Sequence, residues 1–280
     1  MTEQSLGVIL YRSINVTIKS RGMRFMAENG GIRVLDRAIA ILDLMSSSSD
    51  RTGITDIAEA TGLPKATVHR ILQGLVSGKA VLQSSDGGYV IGPAVLAWAD
   101  AFKARWVLPK LGQTVLRRLW EGTRETVHLT AFDGKQAYYV DKMESPHPVG
   151  MRSRVGASLC LHTTAAGRAI LANLPEEELR SYLNSATWGP KTDKTVASEK
   201  ELFLMLDSAR LRGYASENEE NEEGIRCVGS AILRGEEDLP VGAISVSVPA
   251  YRLEDGDVAA LGEAVKEAAS DISALLNGSK

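Results

Sequence analysis

Cys160 and His162 stand two residues apart. Strand alternation would set both side chains on one side, so the first chemistry on offer is a thiol nucleophile with an imidazole base. No third orienting residue or nucleophile motif accompanies them. A buried structural cysteine is the plainer reading of Cys160, as it is of Cys227, which lies in a β run. The four histidines, His69, His128, His147 and His162, are scattered without paired ligand spacing, so no metal site is expected. No GxGxxG fingerprint or phosphate-binding loop is present, and no cofactor is expected. These residues favour binding over turnover.

Two segments suit a small ligand. Leu161 to Gly167 (LHTTAAG) is small, polar and leads into a helix, and the free N–H groups of a helix N-terminus attract a carboxylate. Ordinary capping by Thr163 or Thr164, with no ligand, reads equally well. Ser245 and Ser247 alternate within AISVSVP, which puts both hydroxyls on one strand face and Ile244, Val246 and Val248 on the other. Which face is buried is left open by one strand. The acidic run from Glu217 to Glu223 reads as a solvated loop.

Residues 53–78 offer a different chemistry, the reading of DNA. Thr55 suits an N-cap with Asp56 in the first turn, and Ile57 and Ala58 face inward. Gly62 and Leu63 make the turn, and Pro64 stands where a second helix can start. Val68, Ile71, Leu72, Leu75 and Val76 then form a buried stripe at helical spacing, with Lys65, Thr67, His69, Arg70 and Gln73 opposite. This is a helix-turn-helix. Lys65 and Arg70 are expected on phosphates or guanine edges, and Thr67, His69 and Gln73 on phosphates or bases.

The elements that position these groups follow in order. Residues 1–30 lack periodicity and read as a flexible extension, within which Met23 and Met26 offer later translation starts. A helix over Ile32 to Met45 precedes the motif and ends in the serine run 46–49. Residues 80–91 form a hairpin around Asp86-Gly87-Gly88, making the first domain (31–92) a winged helix-turn-helix. The wing, with Ser84, Ser85 and Gly87, would approach the DNA backbone or minor groove. From Pro93 a helical pattern with Trp98 and Trp106, interrupted at Pro109, reads as a linker and dimerisation helix over 93–122. The remainder (123–280) alternates strands with helices. Strands are expected at 125–132, 136–143, 149–155, 214–217, 225–233 and 241–248. Helices are expected at 162–172, 176–183, 199–212 and 258–276. The fold class is α+β with a largely antiparallel sheet.

Composition agrees with a two-domain chain: 280 residues, 44% hydrophobic, 24% charged, net charge −3. That charge argues against a wholesale polyanion binder, although residues 1–92 are slightly basic and the rest acidic. No apolar run approaches the roughly 18 residues that span a bilayer, and no signal peptide is visible, so the expectation is a cytoplasmic protein without membrane contact. Two cysteines argue against a disulfide framework.

With LPKATVHRIL, YVIGP, LHTTAAGRAILA and GYASENEENEEGIRCV followed by AISVSVP in this order, the chain from about Ile32 onward resembles the IclR family of bacterial transcriptional regulators. The resemblance implies a GAF-like effector domain behind the winged head. It also implies dimers or dimers of dimers on palindromic double-stranded operators, and control of catabolic operons by small acids. Carried over by motif, the acid pocket would use the backbone at Ala165 and Ala166, Glu217, Cys227, Ser245 and Ser247, with apolar walls from Met151, Leu159 and Ile225. Ala165 stands where the family often has glycine, and Glu217 where aspartate is commoner. A carboxylate beside a bound acid is unfavourable unless one is protonated or Glu217 accepts a hydroxyl hydrogen bond. That points to a hydroxy- or oxo-acid. The expected activity is effector-modulated DNA binding, by a repressor more than an activator, with no enzymatic turnover. The alternatives are a second domain that only dimerises without ligand, or a cysteine-dependent enzyme fused to a DNA-binding head.

Overall fold

The computed structural model describes residues 32–48, 50–105, 107–151 and 153–278. The chain divides into two compact units, one ending at Phe102 and the other beginning at Lys103. The expectations for the N-terminal extension and for Trp106 lie outside the described residues.

The first unit holds α1 (Arg33–Ser46), α2 (Ile54–Thr61), α3 (Lys65–Ser77), β1 (Val81–Gln83) and β2 (Tyr89–Ile91), and α4 (Ala94–Arg105) follows. Its core joins Ile41 and Met45 of α1 to Ile57 and Ala58 of α2, to Val68, Ile71 and Leu72 of α3, and to Val81 and Tyr89 of the hairpin. Leu75 and Val76 are half-buried at the rim of that core. The N-cap of α2 is Gly53, not Thr55. Asp56 lies one turn in and reaches back, accepting the Gly53 N–H at 3.1 Å, so the cap position falls two residues earlier than expected. Gly62 adopts φ 69°, the left-handed conformation that ends α2 and aims α3.

The stretch expected as one linker helix is two. Pro109 has no N–H, and its ring would collide with a helical carbonyl four residues back, so α4 stops at Arg105. A new helix, α5 (Leu108–Thr123), starts with Pro109 in its first turn, where the missing donor costs nothing. None of the described side chains of α4 is buried, and Leu96 and Trp98 are exposed. By contrast, α5 buries Leu108, Val115, Leu116 and Leu119 in the second unit.

That unit is built on a six-stranded antiparallel sheet. Its strands are β3 (Thr126–Phe132), β4 (Ala137–Met143), β5 (Ser158–Leu159), β6 (Ala215–Asn218), β7 (Ile225–Arg234) and β8 (Leu239–Pro249), ordered β5-β4-β3-β8-β7-β6. Helices α6 (Ala165–Ala172), α7 (Glu176–Ser185), α8 (Glu199–Arg212) and α9 (Asp257–Gly278) complete it. One sheet face packs Val127, Leu129, Val228, Ile244 and Val246 against α5 and α9. The other carries alanines, Ala137, Ala215, Ala231 and Ala243, in the core formed with α6 and α8. Both faces are therefore buried, which decides the question left open by Ser245 and Ser247.

Among the described residues of 149–155 there is no strand. Pro146 and Pro148 remove donors where pairing would begin, and Ser153 is held instead by side chains, Lys142 Nζ donating to its carbonyl at 2.6 Å. The edge position beside β4 goes to the two-residue β5. Helix α6 starts at Ala165 rather than His162, because Thr164 is its N-cap and accepts the Gly167 N–H at 3.1 Å.

Candidate functional site

In the first unit, α3 presents Lys65, His69, Arg70 and Gln73 to solvent, with Thr67 half-buried at the side of the helix. No acidic residue lies on α3, so its outer face carries two unopposed cations. The hairpin places Ser85 and Gly87 at an exposed tip with Ser84 partly covered; Gly87 has φ 85° and its N–H donates to Ser84 O at 3.0 Å. Two ties hold this wing to the start of α2. Thr52 and Tyr89 exchange backbone hydrogen bonds of 3.0 Å each, and Arg51 pairs with Asp86. Helix and wing can thus offer cations, hydroxyls and backbone amides to a phosphate-bearing surface.

In the second unit the register assembles a polar bed on the alanine-rich face. One row across the strands is Lys142, His128, Ser245, Gly229 and Ala215. The next is Thr126, Ser247, Cys227 and Glu217, and a third holds Tyr139, Thr130, Ala243 and Ala231. Gly229 lets α6 come down onto this bed: a Cβ there would lie 2.8 Å from the Ala166 nitrogen and 2.9 Å from the Ala165 carbonyl carbon. The first two amides of α6, on Ala165 and Ala166, have no intrahelical acceptor. They sit over a sheet position flanked in its own strand by Cys227 and across the ladder by Ser245.

Met151, Ala165, Ile225 and Cys227 close into one small buried cluster. The Ser247 hydroxyl donates to the Met151 sulfur at 3.2 Å and accepts from the Cys227 thiol at 3.2 Å. Glu217 lies opposite Cys227 on β6 and is not the solvated loop residue expected from the sequence: it is buried, and its Oε2 accepts the Glu220 N–H at 2.9 Å. Burial, with the charge of Glu220 adding to it, pushes its carboxyl up to about 7 against the nearby Cys227 thiol and the amides of Glu220 and Asn221. Burial likewise pushes the Cys227 thiol well up, with Glu217 beside it. Leu159 and Ala166 belong to the larger apolar core around α6 rather than to the Met151 cluster.

Sequence reasoning misses Thr126, His128, Thr130, Tyr139 and Lys142, which share this face. A signal is there, since Thr126, His128 and Thr130 alternate in β3 just as Ser245 and Ser247 do in β8. It also misses Arg168. This residue is 1% exposed and forms a two-pronged ion pair with Glu220, and its Nε donates to His162 O at 2.8 Å.

The Cys160 thiol lies 3.5 Å from His162 Nδ1, a nitrogen that also meets the Tyr182 hydroxyl at 2.7 Å. Burial raises this thiol, but hydrogen bonds with His162 and Thr163 outweigh it and hold it at about 7. The pair comes from the turn before α6, not from a strand. A separate groove of about 280 Å³ runs beside β6, lined by Met205, Arg212, Glu217, Cys227 and Leu253 among others. It reaches Glu217 from the sheet edge and includes neither Ser245 nor Ser247. Among the described residues no cluster of ligating side chains suits a metal, and no helix is long and apolar enough to cross a membrane.

Residues 34–85 match the model of the IclR helix-turn-helix domain, and residues 105–274 that of the bacterial transcriptional regulator IclR C-terminal domain. The HTH-type transcriptional regulator BhcR of Paracoccus denitrificans is 35% identical over 249 residues, covering 88% of each chain. The transcriptional repressor IclR of Escherichia coli is 30% identical over 252 residues, covering 89% of this chain and 92% of its own. The crystal structure of Thermotoga maritima IclR superposes with a TM-score of 0.75 at 32% identity, covering 88% of this chain and 99% of that one. An IclR homologue from Microbacterium hydrocarbonoxydans, complexed with 4-hydroxybenzoate, shares the fold with a TM-score of 0.70 at 21% identity, over 87% and 98% of the two chains.

Proposed function

The chain belongs to the IclR family of bacterial transcriptional regulators, and from that premise we propose a repressor whose operator binding answers to a small hydroxy- or oxo-acid held in its second unit. It is a DNA-binding regulator and not an enzyme, like its curated relatives. What carries the ligand reading is the bed under α6: two helix-start amides, two serine hydroxyls and a carboxyl that is half-protonated near neutrality meet on one buried face. The amides favour a carboxylate. Glu217 in its protonated form donates a hydrogen bond and adds no repulsion. Ligand then acts by favouring one state of the regulator over another, to the extent of its differential affinity for the two.

The charge of Glu217 supplies the test. Below pH 7 the carboxyl is mostly neutral and an acid anion binds beside it; above pH 7 it is a carboxylate and repels that anion. Acid affinity of the full chain, measured by calorimetry against a panel of small hydroxy- and oxo-acids, is expected to fall as pH rises from 6 to 8, by up to about tenfold per unit above 7. Glu217→Gln should flatten that profile. A panel that gives neither heat nor thermal shift would leave a purely structural second domain as the better reading.

On the DNA side, Lys65, Thr67, His69, Arg70 and Gln73 are proposed to lie in the major groove, with Ser84, Ser85 and Gly87 on the flanking backbone. Arg70→Ala is expected to weaken operator binding by about 1–3 kcal/mol for each hydrogen-bonded base it no longer reaches. Unchanged affinity in a folded variant would remove Arg70 from the interface. A palindromic operator read by a homodimer, or by a dimer of dimers, is part of the same proposal. It is supported by the exposed Leu96 and Trp98 on α4, a helix with no fully buried side chain among those described.

A further inference from the structure

His128 and Thr130 are both fully buried, yet among the described residues neither His128 Nδ1 nor Thr130 Oγ1 has a hydrogen-bond partner. Buried polar side chains are ordinarily satisfied, and one left bare weakens the fold that holds it. These two atoms belong to adjacent rows of the bed that also carries Ser245. Two groups beside them are already engaged. His128 Nε2 meets Ser153 Oγ at 2.7 Å, and Lys142 Nζ donates to Ser153 O at 2.6 Å and pairs with Glu144 at 2.7 Å.

Resting on the reading of this bed as an acid site, we propose that His128 and Thr130 form its far end, and that the acid carries a hydroxyl or carbonyl a few atoms from its carboxylate. The register sets the length. His128 is on β3 and Gly229 on β7, with β8 between them, so the two stand about 10 Å apart at ~4.8 Å per strand. Allowing a hydrogen bond of roughly 3 Å at each end, the polar atoms of the ligand are about 4–6 Å apart. A chain of a few carbons, or one six-membered ring, spans that distance.

The chemistry of the far end selects its partner. Burial and the nearby Lys142 hold the His128 imidazole at about 3, so it is neutral at working pH. With Nε2 committed to Ser153, the tautomer decides whether Nδ1 donates or accepts. A neutral imidazole and a threonine hydroxyl match a neutral hydroxyl or carbonyl. They do not offset a second carboxylate, whose desolvation needs a free cation, and the Lys142 ammonium is already paired. The site therefore discriminates hydroxy- and oxo-acids from their unsubstituted parents and from dicarboxylic acids.

Two triplets of probes test this on the full chain by calorimetry: pentanoate, 5-hydroxypentanoate and glutarate, then benzoate, 4-hydroxybenzoate and terephthalate. In at least one triplet the hydroxy-acid is expected to bind about tenfold or more tightly than both companions. His128→Gln keeps a polar atom where Nε2 meets Ser153 but loses the one at Nδ1, and should reduce the hydroxy-acid to the affinity of its parent. His128→Asn keeps a polar atom at Nδ1 and should retain the preference. Thr130→Val, close in shape, should narrow the preference without weakening the parent acid. Equal affinity for parent and hydroxy-acid in the unmodified protein would overturn the proposal while leaving the acid site standing, and needs no variant to fold. A preference that survives His128→Gln would overturn it too. Failure of every monocarboxylate to bind would remove the acid site and this proposal together.

Discussion

Replacing Arg168 with methionine is expected to lower the melting temperature of the second unit by about 10 °C. Arg168 is fully enclosed and its guanidinium joins three segments: the turn before α6 through His162 O, the edge strand β6 through Ser216 O at 3.2 Å, and the turn after β6 through Glu220. Methionine fills much of the volume and supplies none of the donors. Glu220, with a side chain 9% exposed, would keep a buried charge without its cation. Losing one partner of such a pair costs about 3–5 kcal/mol, and each kcal/mol moves the midpoint of a domain this size by roughly 2–4 °C. Adding Glu220→Gln to the methionine variant should recover part of the loss, because the stranded charge goes with it. Calorimetric melting of the three proteins checks both steps. A methionine variant melting within about 2 °C of the parent would show that the pair is not holding α6 to the turn.

The second large effect is expected from one methyl group. In Gly229→Ala the new Cβ would stand 2.8 Å from the Ala166 nitrogen and 3.0 Å from its Cα, both backbone atoms that no rotamer change can move aside. The first turn of α6 must lift from the sheet, at a cost of about 1–3 kcal/mol for overpacking. The amides that face the bed lift with it, so acid affinity should drop at least about tenfold, since one such charge-assisted hydrogen bond contributes about 1.5–3 kcal/mol. Operator binding without ligand should stay near the parent value, because the winged head has its own core. Calorimetry with an acid that binds the parent, beside an operator titration, reads the two effects separately. Acid affinity unchanged in a folded Gly229→Ala protein would place the carboxylate somewhere other than the start of α6.

How far the sequence can be read follows from how local each determinant is. The winged head is legible because its signals sit within a few residues of one another: an apolar stripe from Val68, Gly62 at the turn, Asp86-Gly87-Gly88 in the wing. The N-cap of α2 falls two residues from its expected place since Asp56 reaches backward as readily as Thr55 reaches forward. In the second unit most strands declare themselves by alternation. The run at 149–155 also does, but the prolines just before it and the short β5 decide the pairing there. Strand order leaves no trace in one sequence. Ser245 stands out because Ser247 is beside it, whereas His128 joins the site only through a register partner far along the chain. The state of Glu217 is hidden for a related reason, because a raised carboxyl comes from burial and the run around it looks solvated. Arg168 is a charged residue inside an apolar helix, and its partner Glu220 lies in that same deceptive run.

The sheet of the second unit divides its labour by parity. Alternate residues of β3 and β8 face α5 and α9, where Val127, Leu129, Ile244 and Val246 stabilise the fold, and their immediate neighbours face the polar bed. Substitutions at the bed positions therefore leave the apolar side of each strand untouched, and most cost the fold little. A regulator built this way can change what it senses without first becoming more stable. Descendants of one such ancestor would be expected to differ mostly at every second residue of these strands, and to diverge in the acids they recognise faster than in the way they fold.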